Sequence, residues 1–143
     1  MSSPAVAVAL TFVWLGMVLA ISFLEAPLKF RAPDVTLRIG LGIGRLVFRA
    51  LNTVETVLAL LIGTALTLSS ARGPALIGFG VAATMLAVQL VAVRPRLSRR
   101  SDAVLAAPSG GGEPARSRAH YAYVGLELVK VAALIVTGVA LLR

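Results

Sequence analysis

Residues 52–93 read NTVETVLALLIGTALTLSSARGPALIGFGVAATMLAVQLVAV, and this stretch decides the fold class. Two apolar runs, 52–69 and 75–93, stand on either side of a short segment that contains the turn-forming pair Gly73-Pro74. Each run approaches the roughly 20 residues that a helix needs to cross about 30 Å of hydrocarbon. The stretch therefore predicts two antiparallel membrane-spanning helices joined by a tight turn.

Two further apolar runs, 5–24 and 121–142, have similar length. The whole chain of 143 residues is 58% hydrophobic and 14% charged, whereas a soluble domain is roughly 45–50% apolar and about 25% charged. Because a lipid-exposed backbone must satisfy its own hydrogen bonds, all four runs should be helical. The first run lacks the basic n-region and cleavage site of a signal peptide, so we expect that it is not cleaved. The prediction is one all-α domain, 1–143, an integral membrane four-helix antiparallel bundle.

The basic residues orient this bundle. Both long connections, 26–51 and 94–119, fall on the same side, and that side carries eleven basic residues against two on the other. In membrane proteins, connections of up to about 60 residues that are rich in Lys and Arg face the cytoplasm. We therefore expect a multi-pass protein of the plasma (inner) membrane with both termini outside. The eleven are Lys29, Arg31, Arg38, Arg45, Arg49, Arg94, Arg96, Arg99, Arg100, Arg116 and Arg118.

The first long connection should contain an extra amphipathic helix on the cytoplasmic surface, before the second span. Pro33-Asp34 resembles a helix N-cap, and Arg38, Arg45 and Arg49 recur at helical spacing. These three arginines are candidate ligands for anionic lipid headgroups. Glycines at 40, 42 and 44 favour a bend there. In the second connection, the segment 98–118 is predicted to be a flexible cytoplasmic loop, since 106–115 is rich in Gly, Ser and Pro.

Polar side chains within the predicted spans are the best candidates for a functional site, because ionisable residues are costly in lipid and usually face the bundle interior. Each span brings at least one of them to a similar depth near its cytoplasmic end. If the helices pack as a simple bundle, these side chains line one cavity that opens toward the cytoplasm. The candidates for ligand or ion binding are Glu25, Glu55, Gln89, His120, Tyr123, Glu127 and Lys130.

A structural interpretation of the same residues stays open. Polar side chains also hold helices together in membranes, and those close to an interface can reach water. Glu127 could pair with Lys130 one turn away, and Glu55 could pair with an arginine of the preceding stretch. Trp14 is expected to be a packing residue or part of an aromatic belt.

The chemistry of this set suits a divalent cation, a proton or an organic cation, with the identity of any metal or cofactor unknown. Neither a Ser/His/Asp set nor a metalloprotease motif occurs, so we expect no enzymatic activity. The chain has no cysteine and one histidine, which argues against thiol chemistry and bis-histidine haem. The arginines lack an accompanying nucleic-acid-binding module, so nucleic acid is not an expected partner.

Four short motifs give a family resemblance: Trp14-Leu-Gly16, Glu25-Ala-Pro27-Leu-Lys-Phe30, Gly44-Arg45-Leu-Val-Phe48, and Ala119-His120. This pattern resembles small four-span membrane proteins of the transmembrane protein 205 type, over about residues 13–142. The resemblance implies a four-helix membrane fold and a loose link to the handling of metal ions or cationic drugs.

The sequence is compatible with two functions. The first is a small inner-membrane protein that binds a small cation or amphipathic ligand in a cytoplasm-facing polar pocket, with movement of that ligand across the membrane left open. The second is a non-catalytic accessory subunit of a larger membrane complex. Small residues at Ala59/Gly63 and at Gly78/Ala82 offer packing seams for a homo-oligomer in the first case.

Overall fold

The structure is a computed structural model that describes residues 3–69, 73–106 and 118–143. For Ser3, Arg100 and 118–120 only the backbone is described. The described residues form helices and contain no strand. Four helical runs among them are long and apolar enough to cross a membrane. This result confirms the all-α prediction and is typical of a multi-pass membrane protein.

The first run consists of α1 (Ser3–Val18), a π-helical segment (Leu19–Glu25), the single turn α2 (Ala26–Leu28) and a 3₁₀ turn (Lys29–Arg31). The run thus continues beyond the predicted end at residue 24, and Pro27 does not break it. A proline usually interrupts a helix because its ring crowds the carbonyl four residues earlier. That carbonyl belongs to Phe23, within the π-helical segment, where the backbone already departs from the regular α-helical pattern.

The second run is one continuous helix, α3 (Leu37–Thr67), of 31 residues. Residues 37–51, where we expected an extra amphipathic helix feeding into the span, are helical, and they belong to the same helix as the span itself. The predicted cap at Asp34 was wrong. Thr36 is the N-cap, with its side chain accepting a bond from the Ile39 amide at 3.3 Å, whereas Asp34 lies in the preceding turn with a φ of 64°.

The third run consists of α4 (Pro74–Val88), a second π-helical segment (Gln89–Val93) and α5 (Arg94–Ala106). The predicted flexible loop 98–118 is therefore wrong for residues 98–106, which are helical. Two contacts hold α5 against α3: an Arg45–Asp102 ion pair at 2.6 Å and a bond from Arg38 to the Leu105 carbonyl at 2.5 Å. Residues 107–117 of the predicted loop lie outside the described residues.

The last helix, α6 (Arg118–Leu141), packs mainly on α4 and α1, while α1 also packs on α3. Contacts between α3 and α4 are sparse, so these two helices are neighbours that leave a groove between them. The third run and α6 are antiparallel: Gly78 lies against Thr137, near the end of α6, whereas Gln89, further along the third run, bonds Lys130, nearer the start of α6. We call the end of the bundle that carries Arg45, Arg49 and Arg94 the basic end.

The predicted small-residue seam at Gly78 and Ala82 is used inside the chain. A Cβ added at Gly78 would lie 2.6 Å from Thr137 Oγ1 and 2.9 Å from the Ala133 carbonyl oxygen. Ala82 is fully buried. This close approach brings α4 and α6 together and leaves no room there for a second copy of the chain.

Large apolar side chains cover the outside of the bundle. Leu60 and Ile77 are each 68% exposed, and Val91 is 79% exposed. The apolar core includes Trp14, Leu58, Ile62 and Leu134. An apolar exterior around a core with several polar residues is the pattern that a lipid environment favours.

Candidate functional site

Six side chains from all four helical runs meet inside the bundle, and we call them the central cluster. The first run contributes two members, α6 contributes two, and α3 and the π-helical segment Gln89–Val93 contribute one each. The two carboxylates, the glutamine, the lysine and the tryptophan are each 1% exposed or less. The members are Trp14, Ser22, Glu55, Gln89, Glu127 and Lys130.

Lys130 is the centre of this cluster. Its ammonium lies 2.5 Å from Glu55 Oε1 and 3.0 Å from Glu127 Oε2, and it donates a hydrogen bond to Gln89 Oε1 at 2.8 Å. An ammonium has three donors, and three acceptors from three helices surround it. The Lys130 charge is thus fully partnered although the side chain is fully buried.

The other members orient the two carboxylates. Trp14 Nε1 donates to Glu55 Oε1 at 2.8 Å, and Ser22 Oγ donates to Glu127 Oε1 at 2.6 Å. The Gln89 amide nitrogen donates to Glu127 Oε2. Glu127 therefore has a partner on each oxygen, whereas both described bonds to Glu55 converge on one oxygen.

Both π-helical segments lie at the level of the cluster. Ser22 is in the middle of Leu19–Glu25, and Gln89 is the first residue of Gln89–Val93. A π-turn adds a residue to the helical turn and changes which side chains face inward, and such turns are frequent at functional sites. In this bundle the two irregular segments present the two uncharged side chains that bond Glu127.

Several buried polar atoms beside the cluster have no hydrogen-bond partner among the described residues. They are the second oxygen of Glu55, both side-chain polar atoms of Asn52, and the Tyr123 hydroxyl. Asn52 precedes Glu55 by one turn of α3, and Tyr123 precedes Glu127 by one turn of α6, so both lie toward the basic end. Because unsatisfied polar groups are costly when buried, these atoms mark a place for a small polar species.

The charges of the cluster do not balance when both carboxylates are counted as ionised. Two carboxylates face one ammonium, and none of the other members carries a charge. An uncompensated charge in a low-dielectric interior is costly, and proteins usually avoid it by pairing or by proton uptake. One additional positive charge at the free oxygen of Glu55 would neutralise the cluster.

The structure brings together four of the seven predicted site residues: Glu55, Gln89, Glu127 and Lys130. We expected them to line a cavity, but they contact one another directly. Glu127 and Lys130 form the pair across one turn that the structural interpretation of these residues allowed. Glu55, however, pairs with Lys130 and Trp14 and with neither Arg45 nor Arg49.

The remaining three predicted residues do not join the cluster. Glu25 is 31% exposed and pairs with Lys29 at 3.3 Å. Tyr123 lies one turn away, with its ring edge-on to Phe48 at 5.7 Å between ring centres. The side chain of His120 lies outside the described part of the molecule.

Two members were not predicted as site residues. Trp14, which we expected to be a packing or belt residue, is fully buried and donates to Glu55. Ser22 is only partly buried and bonds Glu127. Both lie on the helix face shared by Thr11, Trp14, Val18, Ser22 and Glu25, so helical spacing was the available signal.

The donor set limits the chemistry of this site. Within the described residues, no group of three or more His, Cys, Asp or Glu side chains could hold a metal ion. The two carboxylates are instead bridged by the protein's own ammonium. Such an arrangement suits a proton or a small monovalent cation better than a divalent metal, which prefers several oxygen ligands free of competing charge.

Comparison with known proteins gives no assignment. No family model matches the chain, no curated protein matches its sequence, and no solved structure matches its fold. The resemblance to the transmembrane protein 205 type stays a prediction.

Proposed function

We propose that this protein is a small inner-membrane protein that binds a small cation, a proton or a monovalent ion, at the central cluster. The observation that carries the proposal is the charge imbalance: Glu55 and Glu127 share Lys130 in a fully buried site. A site with one negative charge in excess attracts one further positive charge. With the basic end in the cytoplasm, as the distribution of arginines predicts, the cation reaches the cluster from that side.

The free oxygen of Glu55 is the proposed binding point. It is buried and unpartnered among the described residues, and the unpartnered polar atoms of Asn52 and Tyr123 lie toward the basic end. These groups offer the oxygen ligands that a small cation or a hydrated proton uses in place of water. They also mark a polar route through a region that is otherwise apolar.

Lys130 gives the site a built-in competitor. An incoming cation weakens the attraction between the Lys130 ammonium and Glu55 by sharing the same carboxylate. Because α6 carries Lys130 and α3 carries Glu55, cation binding weakens the contact between these two helices. Coupling of this kind is what a protein needs in order to move a cation, so transport is the extension of the binding proposal.

Trp14 supplies a direct test, since it is the single tryptophan of the chain and it bonds Glu55. Fluorescence of the purified protein in micelles is titrated with pH in choline buffer and then with Na⁺ and K⁺. We expect a saturable change in wild type that is lost in Glu55→Gln and Glu127→Gln. The matched control is Glu25→Gln, which removes the same charge outside the cluster and should keep the response.

The absence of any saturable change in wild type contradicts the proposal. An equal response in Glu55→Gln contradicts it as well, because the signal would then arise elsewhere. Circular dichroism of each variant establishes that the helices are intact before the comparison is made.

The alternative function is that of a non-catalytic accessory subunit in a larger membrane complex. The observation that favours it is that the cluster satisfies most of its own hydrogen bonds, as interhelical contacts in a scaffold do. Purification from native membranes separates the two. Stoichiometric recovery with larger subunits, together with no saturable fluorescence change in the titration, supports the accessory role.

A further inference from the structure

A groove runs between α3 and the helices α4 and α5, and its two parts differ in chemistry. At the basic end it begins as an open cleft of about 260 Å³ lined by Arg45, Arg49, Arg94 and Ser98. It continues between α3 and α4 as an apolar trough of about 540 Å³. Leu90 lines both parts, so cleft and trough adjoin at that residue.

The cleft concentrates positive charge with little acidic compensation. Arg45 is paired with Asp102 at 2.6 Å. Arg49 and Arg94 have no acidic partner in the parts of the chain that the structure describes. Guanidinium groups bind phosphate through paired N–H donors, and Ser98 lines the same cleft. The cleft is therefore suited to a phosphate group.

The trough is suited to a hydrocarbon chain. It is lined mainly by small and apolar side chains, among them Ala59, Gly63, Phe79, Ala83 and Ala87. Its extent along α3, from residue 56 to residue 67, corresponds to roughly 16 Å at about 1.5 Å per residue. The trough begins about 10 Å beyond Arg49 along α3 and ends at the far end of that helix, so an acyl chain held at the arginines enters it from the basic end and lies in its nearer part.

We propose that this groove binds one anionic phospholipid of the leaflet at the basic end. Its phosphate lies between Arg49 and Arg94, and an acyl chain lies along the trough. The proposal does not depend on cation binding at the central cluster, because the two sites share no residue.

The junction of cleft and trough favours a phospholipid over the other occupants. Free phosphate would use the arginine cleft and leave the trough unexplained. A second copy of the chain would place apolar helix surface in the trough, but it would bring its own basic end beside Arg49 and Arg94, where like charges repel. An anionic phospholipid alone fits both parts, and basic pockets between membrane helices are known to hold such headgroups.

Native mass spectrometry of the full chain in mixed micelles tests the proposal, with phosphatidylglycerol and phosphatidylcholine supplied in equal amounts. We expect wild type to retain one phosphatidylglycerol in preference to phosphatidylcholine. The double variant Arg49→Gln/Arg94→Gln should lose about thirtyfold in affinity for phosphatidylglycerol. The control Arg31→Gln/Arg99→Gln removes the same charge from exposed positions outside the cleft and should retain the lipid.

The trough is tested separately with Ala87→Leu and Ala83→Leu/Ala87→Leu, which fill it from the α4 side. Both should lose phosphatidylglycerol, and inorganic phosphate should not displace the lipid from wild type. Equal loss of phosphatidylglycerol from the two double arginine variants would overturn the proposal, since the attraction would then be a general effect of surface charge. Displacement by inorganic phosphate, or a dimer that retains no lipid, would overturn it in favour of the other occupants.

Discussion

Lys130 is the residue on which the arrangement of buried charge depends. Its ammonium contacts side chains from α3, from α6 and from the π-helical segment Gln89–Val93. A buried ion pair contributes little net stability compared with a well-packed apolar pair, but removing one partner leaves a costly unpaired charge. The contribution of Lys130 to stability should therefore be measurable when Lys130 is replaced and its acidic partners are kept.

Substitution of Lys130 by Gln should lower the free energy of unfolding by about 3–5 kcal/mol, because it leaves Glu55 and Glu127 without a buried counter-charge. Thermal unfolding in micelles measures this change. The control is Asp102→Asn, whose side chain is 61% exposed in its pair with Arg45 and whose loss should cost less than about 1 kcal/mol. Equal destabilisation by the two substitutions would contradict the assignment of Lys130 as the central charge.

Residue patterns predicted part of this site. The positions of Gln89, Glu127 and Lys130 on inward faces follow from helical spacing and from the cost of placing such groups in lipid. The bond between Trp14 and Glu55 could not be predicted in the same way, because it depends on which helices are neighbours. An indole donor can pack in a core or bond a carboxylate, and only the adjacency of α1 and α3 decides between them.

The individual helices differ from their sequence-based predictions where local and tertiary effects compete. Three glycines predict a bend in 37–51, yet α3 is continuous over 31 residues. Each glycine costs only about 1 kcal/mol in a helix. Contacts made by Arg38 and Arg45 with α5 support this half of α3. The π-helical segments had no signal in the apolar periodicity, since one added residue in a nearly all-apolar run changes no pattern.

The close contact between α4 and α6 gives a prediction for a pair of glycines on one helix. Gly78→Ala should destabilise the protein by about 1–3 kcal/mol, because the added methyl group would collide with Thr137 and with the backbone of Ala133. Gly80→Ala should be neutral or stabilising, since a Cβ added there would have no atom of the described residues within 4 Å and alanine favours helix. Unfolding in micelles compares the two variants, and equal effects would contradict this packing.

The whole molecule is polarised along the bundle. Arg45, Arg49 and Arg94 lie at one end, while Leu142, which is 66% exposed, lies just beyond the far end of the last helix. The predicted four helical runs are confirmed, whereas insertion and orientation follow from charge and remain predictions. The sequence alone predicts that one end of the bundle is basic, because basic residues far apart along the chain fall in the two connections on the same side.

A cysteine introduced into this cysteine-free chain tests the orientation. A membrane-impermeant thiol reagent added to intact cells should label Leu142→Cys and should not label Ser109→Cys until the cells are opened. The result follows from the preference of arginine-rich loops for the cytoplasm. Labelling of Ser109→Cys in intact cells would show the opposite orientation.

The central claim is that the buried cluster has one negative charge in excess and takes up one cation. Infrared difference spectroscopy of the purified protein measures it most directly, because the carbonyl stretch of a protonated carboxyl is distinct from that of a carboxylate. In a choline buffer without alkali ions the proton is the only small cation present. We predict one protonated buried carboxyl in wild type, retained in Glu25→Gln and lost in Glu55→Gln. Two ionised carboxylates in the wild-type cluster under those conditions would contradict the claim.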